Sequence, residues 1–352
     1  MNRIRVVLYI MCVAVAAAVA LCIDRGVAEG GRWADDTAVV FTDEVVNGYT
    51  PVKNQGNSTL CWAYGMLAAI ETEHIMRGDS VHLSVKYAAR CLLEDNARRC
   101  YLSRDTAAVS MRGMGGTLLG VMERHGMVAY DAYRDKADAD FTVLERKVER
   151  AARKAANTRM GLRRLDGYVA DIIDGSLGTA PKRVFMYGAE YTPGEFARSV
   201  CAPGEYIGLT SFTHHPFYTH FALEVPDNTG HHELYNVPID TLMAAVERAV
   251  CTGHGVCWEG DTSEPGFSFR RGTAMLPPSA DTSQEARQRA FERFETTDDH
   301  CMAIVGLARD SHGRRFYIMK NSWGTDNPYG GLMYVSEDYV RMKTVGVYMS
   351  RF

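Results

Sequence analysis

Apolar positions recur at helical spacing in the first half of the chain and form strand-length runs in the last third. From Cys61 onward, apolar residues follow one another every three or four positions, and Gly78 is suited to end that helix. Similar spacing predicts further helices at 84–88 and 116–124. The pattern therefore predicts a helical segment from 61 to about 130.

Short apolar runs bounded by turn residues predict strands in the rest of the chain. The predicted strands are 206–210, 255–258, 301–305, 316–319, 332–335 and 345–349. The last four favour an antiparallel, barrel-like sheet near the C-terminus. The middle of the chain, from about 140 to 205, is rich in charges and helical in pattern, which favours an insertion between two parts of one fold.

Together these patterns predict an α+β fold with two lobes. The helical lobe is expected over about 50–140, a helical insertion over about 140–205, and an antiparallel β-barrel-like lobe over about 206–352. A groove between two lobes is a common place for a ligand or active site.

The N-terminus has a pattern typical of export. Arg3 and Arg5 precede an uninterrupted apolar run over 6–23, which predicts a signal peptide over residues 1–28, or a signal anchor that is retained. Residues 29–352 would then form the mature domain, periplasmic or secreted. A membrane is an expected partner only if the N-terminal segment stays attached.

Composition and charge narrow the classes further. The apolar fraction of 46% and charged fraction of 23% are ordinary for a globular protein, and a formal charge of −4 argues against nucleic acid as a partner. Five histidines between 214 and 232 suggest a metal, but no spacing typical of a zinc site accompanies them. We therefore predict surface histidines, no metal and no cofactor.

Cys61 is placed for nucleophilic chemistry at the start of the first predicted helix. Unpaired N–H groups and the positive end of the helix dipole stabilise a thiolate there. Gln55, six residues earlier, offers a side-chain amide that could bind a developing oxyanion together with the Cys61 N–H. Such a thiolate also needs a base and a group that orients the base.

Two later segments supply these groups. His300 stands at the start of one apolar strand, and Asn321 and Trp323 follow the next. A hairpin of the two strands would bring His300 near Asn321, which could accept a hydrogen bond from one imidazole nitrogen while the other faces Cys61. Trp323 could shield that hydrogen bond from water.

In this order, the motifs resemble those of the papain-like cysteine peptidases. They are Gln55 with Cys61-Trp62-Ala63, His300 before Ala303-Ile304-Val305-Gly306, and Lys320-Asn321-Ser322-Trp323-Gly324. The segment Thr50–Gly56 and the long insertion are similar to the bleomycin hydrolase and aminopeptidase C branch, and the similarity covers most of residues 50–352. The resemblance implies a papain-like two-lobed fold, with Cys61 on the helical lobe and the His and Asn on the β lobe.

The resemblance also implies which residues contact substrate. Gly115 and Gly116 are similar to the family's glycine pair, whose backbone binds substrate in extended form, and we count Trp323 among the contacts as well. Asp261 belongs to a segment similar to an acidic loop of the bleomycin hydrolase branch. It could meet a substrate amine, although a plain turn explains it equally well.

We therefore expect a cysteine-type peptidase that acts on peptides or proteins through an acyl-thioester intermediate. Cys61 would attack the scissile carbonyl, and His300 would protonate the leaving amine. Asn321 would orient the imidazole, and Gln55 would help to bind the oxyanion. The alternatives are an aminopeptidase of bleomycin hydrolase type, a non-peptidase amidase and a silent binding protein. Little chain follows Gly324, which favours an open cleft and hence endopeptidase or dipeptidyl activity.

Overall fold

Helices dominate the first half of the molecule and strands the second. A computed structural model describes residues 39–104, 107–134, 139–186 and 188–351, and the chain from Val39 onward forms one compact unit. The predicted signal peptide, residues 1–28, lies outside the described residues and stays a prediction.

Nine α-helices lie within those ranges. They are α1 (Cys61–Met76), α2 (Val85–Leu102), α3 (Gly115–His125), α4 (Phe141–Asn157), α5 (Leu162–Leu177), α6 (Pro193–Val200), α7 (Ile239–Cys251), α8 (Gln284–Glu292) and α9 (Glu337–Lys343). Local chemistry sets several starts: Ser84 accepts from the Tyr87 N–H, and Thr192 and Glu195 form a reciprocal capping box. None of these helices combines the length and apolar character that crossing a bilayer requires.

Thirteen strands complete the described part of the fold. They are β1 (Phe41–Val46), β2 (Val184–Met186), β3 (Ala189–Tyr191), β4 (Tyr206–Thr210), β5 (His220–Ala222), β6 (Glu233–Asn236), β7 (Val256–Gly260), β8 (Phe267–Ser268), β9 (Thr273–Ala274), β10 (His300–Asp310), β11 (Arg315–Lys320), β12 (Leu332–Ser336) and β13 (Thr344–Ser350).

Eleven of these strands form one large mixed sheet. Its order is β5-β6-β4-β13-β7-β10-β11-β12-β9-β8, and β1 pairs with β10 outside this path. The pairs β4–β6 and β9–β12 are parallel and the others antiparallel. The prediction of a purely antiparallel, barrel-like lobe is therefore wrong in this detail, because β5 and β8 end the sheet without pairing to each other.

The segment expected as an insertion carries α4, α5, α6 and the small β2–β3 hairpin. Both long helices have an apolar stripe: in α4 the buried residues are Leu144, Val148, Ala151, Ala152 and Ala155. These residues recur every three or four positions, so one face of the helix packs against the protein and the other is solvated.

Close contact between α1 and the sheet positions the site. Almost all of α1 is buried, and Gly65 lets it approach β10: a Cβ at Gly65 would lie 3.3 Å from both the Cys301 Cβ and the Met302 nitrogen. A larger residue at 65 would push the helix away from the strand. This contact holds the first turn of α1 over the first residues of β10.

Candidate active site

Cys61 is the first residue of α1, where the backbone N–H groups have no partner within the helix. The preceding residue, Leu60, makes no side-chain capping bond to them. The Cys61 side chain is 8% exposed, so a small part of it remains open to solvent. The helix start thus presents a thiol beside N–H groups that can bind an anion.

A second thiol and an imidazole favour the ionised form of Cys61. The Cys301 thiol donates a hydrogen bond to Cys61, and His300 adds a hydrogen bond and its charge; together they hold the pKa of Cys61 well below its ordinary value, although burial acts to raise it. The same hydrogen bond, together with burial, raises the pKa of Cys301. Cys61 is therefore the thiolate of the pair and Cys301 the donor.

His300 and Asn321 are held together by strand pairing. Strands β10 and β11 pair so that Ala303 lies opposite Lys320, which brings the first residue of β10 beside the residue that follows β11. The His300 Nε2 lies 2.8 Å from the Asn321 Oδ1 in a buried hydrogen bond. The Nδ1 atom is thereby left for Cys61, with which His300 also makes a hydrogen bond.

Trp323 covers this hydrogen bond. Its ring centroid lies 4.5 Å from that of His300, and the edges of Phe267 and Phe269 pack on it at 5.8 and 5.6 Å. The three aromatic rings reduce the access of water to the imidazole. The position of Trp323 over the imidazole agrees better with shielding the His300–Asn321 hydrogen bond than with an extended contact to substrate.

Gln55 is fixed between the two lobes beside Cys61. Its Oε1 accepts from the Ser322 hydroxyl at 2.6 Å, and its backbone N–H donates to the Ser322 carbonyl at 2.7 Å. The amide nitrogen donates one hydrogen to the Ser58 carbonyl at 2.8 Å, which leaves the second hydrogen for another acceptor. The side chain is thus held in place with one amide hydrogen available to an oxyanion.

The glycine pair lies against the β lobe. The Gly115 N–H donates to the Glu259 carboxylate at 2.5 Å, and a Cβ at this glycine would lie 2.7 Å from the Tyr348 ring. A Cβ at Gly116 would lie 2.9 Å from the Cβ and Cγ of His232. No side chain fits at either position, but His232 already occupies the space above Gly116.

Asp261 is not placed to bind a substrate amine. It is 2% exposed. One oxygen accepts from the Ser263 backbone and hydroxyl at 2.8 Å, and the other faces the Lys343 ammonium at 3.6 Å. Glu264 binds the same ammonium. Because both oxygens of Asp261 are engaged, the structure supports a structural turn here and not the substrate contact that the sequence suggested.

Sequence reasoning missed two residues of the site, Cys301 and Glu259. From the sequence, Cys301 has the pattern of an ordinary buried thiol in an apolar strand, and its place directly after His300 is the one signal that it lies near the nucleophile. Burial raises the pKa of Glu259 to about 8, against the effect of the Gly115 N–H. Nothing in the sequence marks Glu259, because its partner lies on a distant helix.

Two of the histidines predicted to be surface residues form a cluster with Glu224. The Nε2 atoms of His214 and His215 lie 3.2 and 2.7 Å from its carboxylate oxygens, and the three ligand atoms lie within 4.8 Å of one another. The Gln288 amide nitrogen lies 3.1 Å from the His214 Nδ1. An amide nitrogen can only donate, so the Nδ1 atom of His214 accepts this hydrogen bond. The Nε2 atom of His214 therefore carries the hydrogen and donates it to Glu224. These hydrogen bonds account for the cluster without a bound ion.

Comparison with known proteins rests on structure alone. No family model matches the chain, and no curated protein matches it. The chain is similar to the crystal structure of PepW from Lactobacillus rhamnosis HN001, with a TM-score of 0.67, 16% identity, and coverage of 89% of this chain and 83% of that one. The bromelain protease from Ananas comosus, in complex with the E64 inhibitor, matches with a TM-score of 0.43, 14% identity, and coverage of 86% and 94%.

The likeness to PepW concerns the whole arrangement of helices and sheet. It shows that this chain has the α+β fold of the papain-like cysteine peptidases. The fold predicted from the three motifs is confirmed.

Proposed function

We propose that the protein is a cysteine peptidase that hydrolyses peptide bonds with Cys61 as nucleophile, His300 as acid and base, and Asn321 as the residue that orients His300. The observation that supports this most is the buried 2.8 Å hydrogen bond that the His300 imidazole donates to the Asn321 Oδ1. It leaves the other ring nitrogen for a cysteine whose pKa is lowered. This is the arrangement that nucleophile, base and orienting group need.

The reaction follows from these positions. The Cys61 thiolate attacks the scissile carbonyl, and the imidazolium of His300 gives its proton to the leaving amine. Water, deprotonated by the same imidazole, then hydrolyses the thioester. Gln55 and the Cys61 N–H bind the oxyanion in both steps.

The proposal also includes export, carried by residues 1–28 as a signal peptide. The basic start and the apolar run over 6–23 support it. N-terminal sequencing of protein recovered outside the cytoplasm tests it, with cleavage after Ala28 as the expected result. Full-length protein in the cytoplasmic fraction alone would contradict it.

Cys61→Ser is expected to abolish hydrolysis of a peptide substrate while the protein stays folded, because a hydroxyl is not ionised beside His300. A thiol-reactive epoxide should label Cys61 first in the unmodified protein, as mapped by mass spectrometry. Cys251→Ser, which changes an exposed cysteine, is the matched control and should keep full activity. Activity that survives Cys61→Ser, or first labelling at Cys201 or Cys301, would show that the chemistry lies elsewhere.

A further inference from the structure

Strand β7 carries a buried acid, Glu259, between the two lobes of the candidate site. In the sheet this residue lies opposite Cys301 of β10 on one side and opposite Gly346 of β13 on the other. The next residue of β7, Gly260, lies opposite His300. One strand therefore sets the position of the proposed base and of this carboxyl group together.

The Glu259 carboxyl group reaches from the sheet to the start of α3. Its Oε1 accepts a hydrogen bond at 2.5 Å from the backbone N–H of Gly115, the first residue of that helix. N–H groups in the first turn of a helix have no partner within the helix, so an acceptor from elsewhere must satisfy them. For Gly115 this acceptor comes from the β lobe.

The glycine pair, Gly115 and Gly116, has a second support on the same sheet. The Tyr348 ring of β13 packs against it: a Cβ at Gly115 would lie 2.7 Å from the Tyr348 Cδ2, and a Cβ at Gly116 would lie 3.1 Å from the Tyr348 hydroxyl oxygen. The ring stops the pair from moving toward the sheet. The hydrogen bond to Glu259 adds a fixed direction, because it has a preferred length and angle.

The state of the carboxyl group follows from its surroundings. Among the residues that the structure describes, the Glu259 Oε2 has no hydrogen-bond partner. Burial raises the pKa of Glu259 to about 8, and the charge on Cys61 acts in the same direction. At neutral pH the group is therefore mostly uncharged, with its hydrogen on Oε2 and its carbonyl oxygen toward Gly115. For the bond to Gly115, a neutral acid is equivalent to an amide.

Glu259 is close to the nucleophile but does not face the groove. The effect of the Cys61 charge places the two groups within electrostatic reach of each other. The residue is 2% exposed, so its carboxyl group cannot touch a substrate in the groove. Any effect on the reaction must pass through the residue that it bonds, which is Gly115.

The position of Gly115 matters because the backbone of the glycine pair is expected to bind substrate in extended form. A shift of about 1 Å in a group that positions substrate can cost roughly 100-fold in rate. Since β7 also places His300 through Gly260, the bond from Glu259 keeps the substrate-binding backbone in register with the base.

We propose that Glu259 is a positioning residue for substrate binding, which fixes the glycine pair relative to Cys61 and His300 through its hydrogen bond to Gly115. The inference rests on the proposed peptidase function and adds a residue that supports its substrate contact. The role requires the length of the side chain and an acceptor oxygen, and it does not require a negative charge.

Two substitutions separate length from charge. Glu259→Gln keeps the length and the acceptor oxygen but cannot ionise. Glu259→Asp keeps the carboxyl group but is one methylene shorter and withdraws from Gly115. We expect KM for a peptide substrate to stay within about twofold in Glu259→Gln and to rise about tenfold in Glu259→Asp, with little change in kcat, because a hydrogen bond that supports binding is lost. The reverse order would show that charge matters and would overturn the inference.

Lower stability must be distinguished from weaker substrate binding. Titration of Cys61 with a thiol-reactive epoxide counts the intact sites, so a variant that is only less stable shows a lower apparent kcat at an unchanged KM. The pH midpoint for alkylation of Cys61 should be equal in Glu259→Gln and the unmodified protein, because Glu259 is neutral in the range where Cys61 ionises. A shifted midpoint would mean that Glu259 acts on the nucleophile instead of on Gly115.

Asp310→Ala is the matched control. The Asp310 side chain is 0% exposed, and one of its oxygens accepts from the backbone N–H groups of His312 and Arg314 at 2.9 Å. It lies at the far end of β10, about 33 Å of strand away from His300. We expect a loss of stability with no change in KM. The same rise in KM as in Glu259→Asp would show a general effect of a lost buried acceptor and would contradict the inference.

Failure of the proposed function gives a different result. If the folded, unmodified protein hydrolyses no peptide, the peptidase proposal and this inference both fall. If it hydrolyses peptides and Glu259→Asp has the same KM as the unmodified protein, only the role of Glu259 falls.

Discussion

At the residue scale, Cys301 alters the chemistry of the site without taking part in bond making. Its thiol gives the largest single contribution to the lowered pKa of Cys61, ahead of the His300 hydrogen bond and of the His300 charge taken one at a time. A neutral donor therefore does part of the work that is usually assigned to the imidazolium.

Cys301→Ala tests this directly. Loss of the donor should raise the pKa of Cys61, so the pH midpoint for alkylation of Cys61 by iodoacetamide should move upward relative to the unmodified protein. Cys257→Ala is the matched control, because Cys257 is also buried near Gly65, whereas the hydrogen bonds that lower the pKa of Cys61 come from Cys301 and His300. An unchanged midpoint after Cys301→Ala would contradict the role of this thiol.

Residues of the site were predictable where a local pattern marks them. Cys61 starts a periodic helix and His300 starts an apolar strand, so each has a signal of its own. Asp261 could not be assigned from sequence, because its burial depends on Lys343, more than eighty positions later. The hydrogen bond between Cys301 and Cys61 could not be predicted from the sequence either, because it forms only when α1 packs on β10.

At the element scale, long periodic segments were predictable and short ones were not. Helix α1 and strands β10 and β11 are long apolar segments, buried along almost their whole length, and turn residues bound them clearly in the sequence. Strands β5, β8 and β9 have two or three residues each, too few to show any alternation. For that reason, the sequence did not predict the parallel pairs β4–β6 and β9–β12. It did not predict the loop over residues 223–232, between β5 and β6, either.

Cysteine pairing shows the same limit. Cys91 and Cys100 are nine residues apart, a spacing at which a disulfide could close a small loop, but both lie on α2 and are free. Nine residues of helix separate them by about 13 Å, well beyond the reach of a disulfide. The sequence predicted only the start of α2, the helix that holds these two thiols apart.

Arg287 of α8 joins several elements through its guanidinium. It donates to four carbonyl groups, those of Ser211, Arg341, Met342 and Thr344. It also lies over the Phe212 ring at 4.6 Å and is 1% exposed. The side chain therefore links α8 to the ends of β4, α9 and β13.

Arg287→Met should lower the free energy of unfolding by at least about 3 kcal/mol, because buried carbonyl groups lose their donor. Urea denaturation measures the change. Arg289→Met on the same helix is the control: its side chain is 54% exposed and pairs with Asp281, so an effect below about 0.5 kcal/mol is expected. Similar losses from both variants would argue against the joining role of Arg287.

At the scale of the whole molecule, the buried acids make stability depend on pH. Glu259 keeps its proton up to about pH 8 in the folded protein, whereas an exposed glutamate loses it near its ordinary pKa of 4.5. Between these values the folded state binds more protons than the unfolded state. The contribution of Glu259 is fully present below about pH 4.5 and is lost as the pH rises toward 8.

Glu259→Gln should therefore reduce the fall in stability between pH 5 and pH 8. The urea midpoint of the unmodified protein should drop more over this interval than that of the variant. Glu190→Gln, at a half-exposed position of β3, should leave the pH dependence unchanged. Parallel curves for the unmodified protein and Glu259→Gln would contradict the buried-acid explanation.

The place of β13 has a consequence for the time at which the candidate active site is completed. This strand is the last in the chain, yet it lies in the sheet between β4 and β7, and its Tyr348 packs against Gly115. The ribosome needs on the order of ten seconds to add the residues between β4 and β13. During synthesis, the sheet that packs against α1 therefore stays incomplete until β13 is made. A chain that stalls before residue 344 leaves the edges of β4 and β7 open to other chains. The candidate active site is therefore complete only when almost the last residues of the chain have been made.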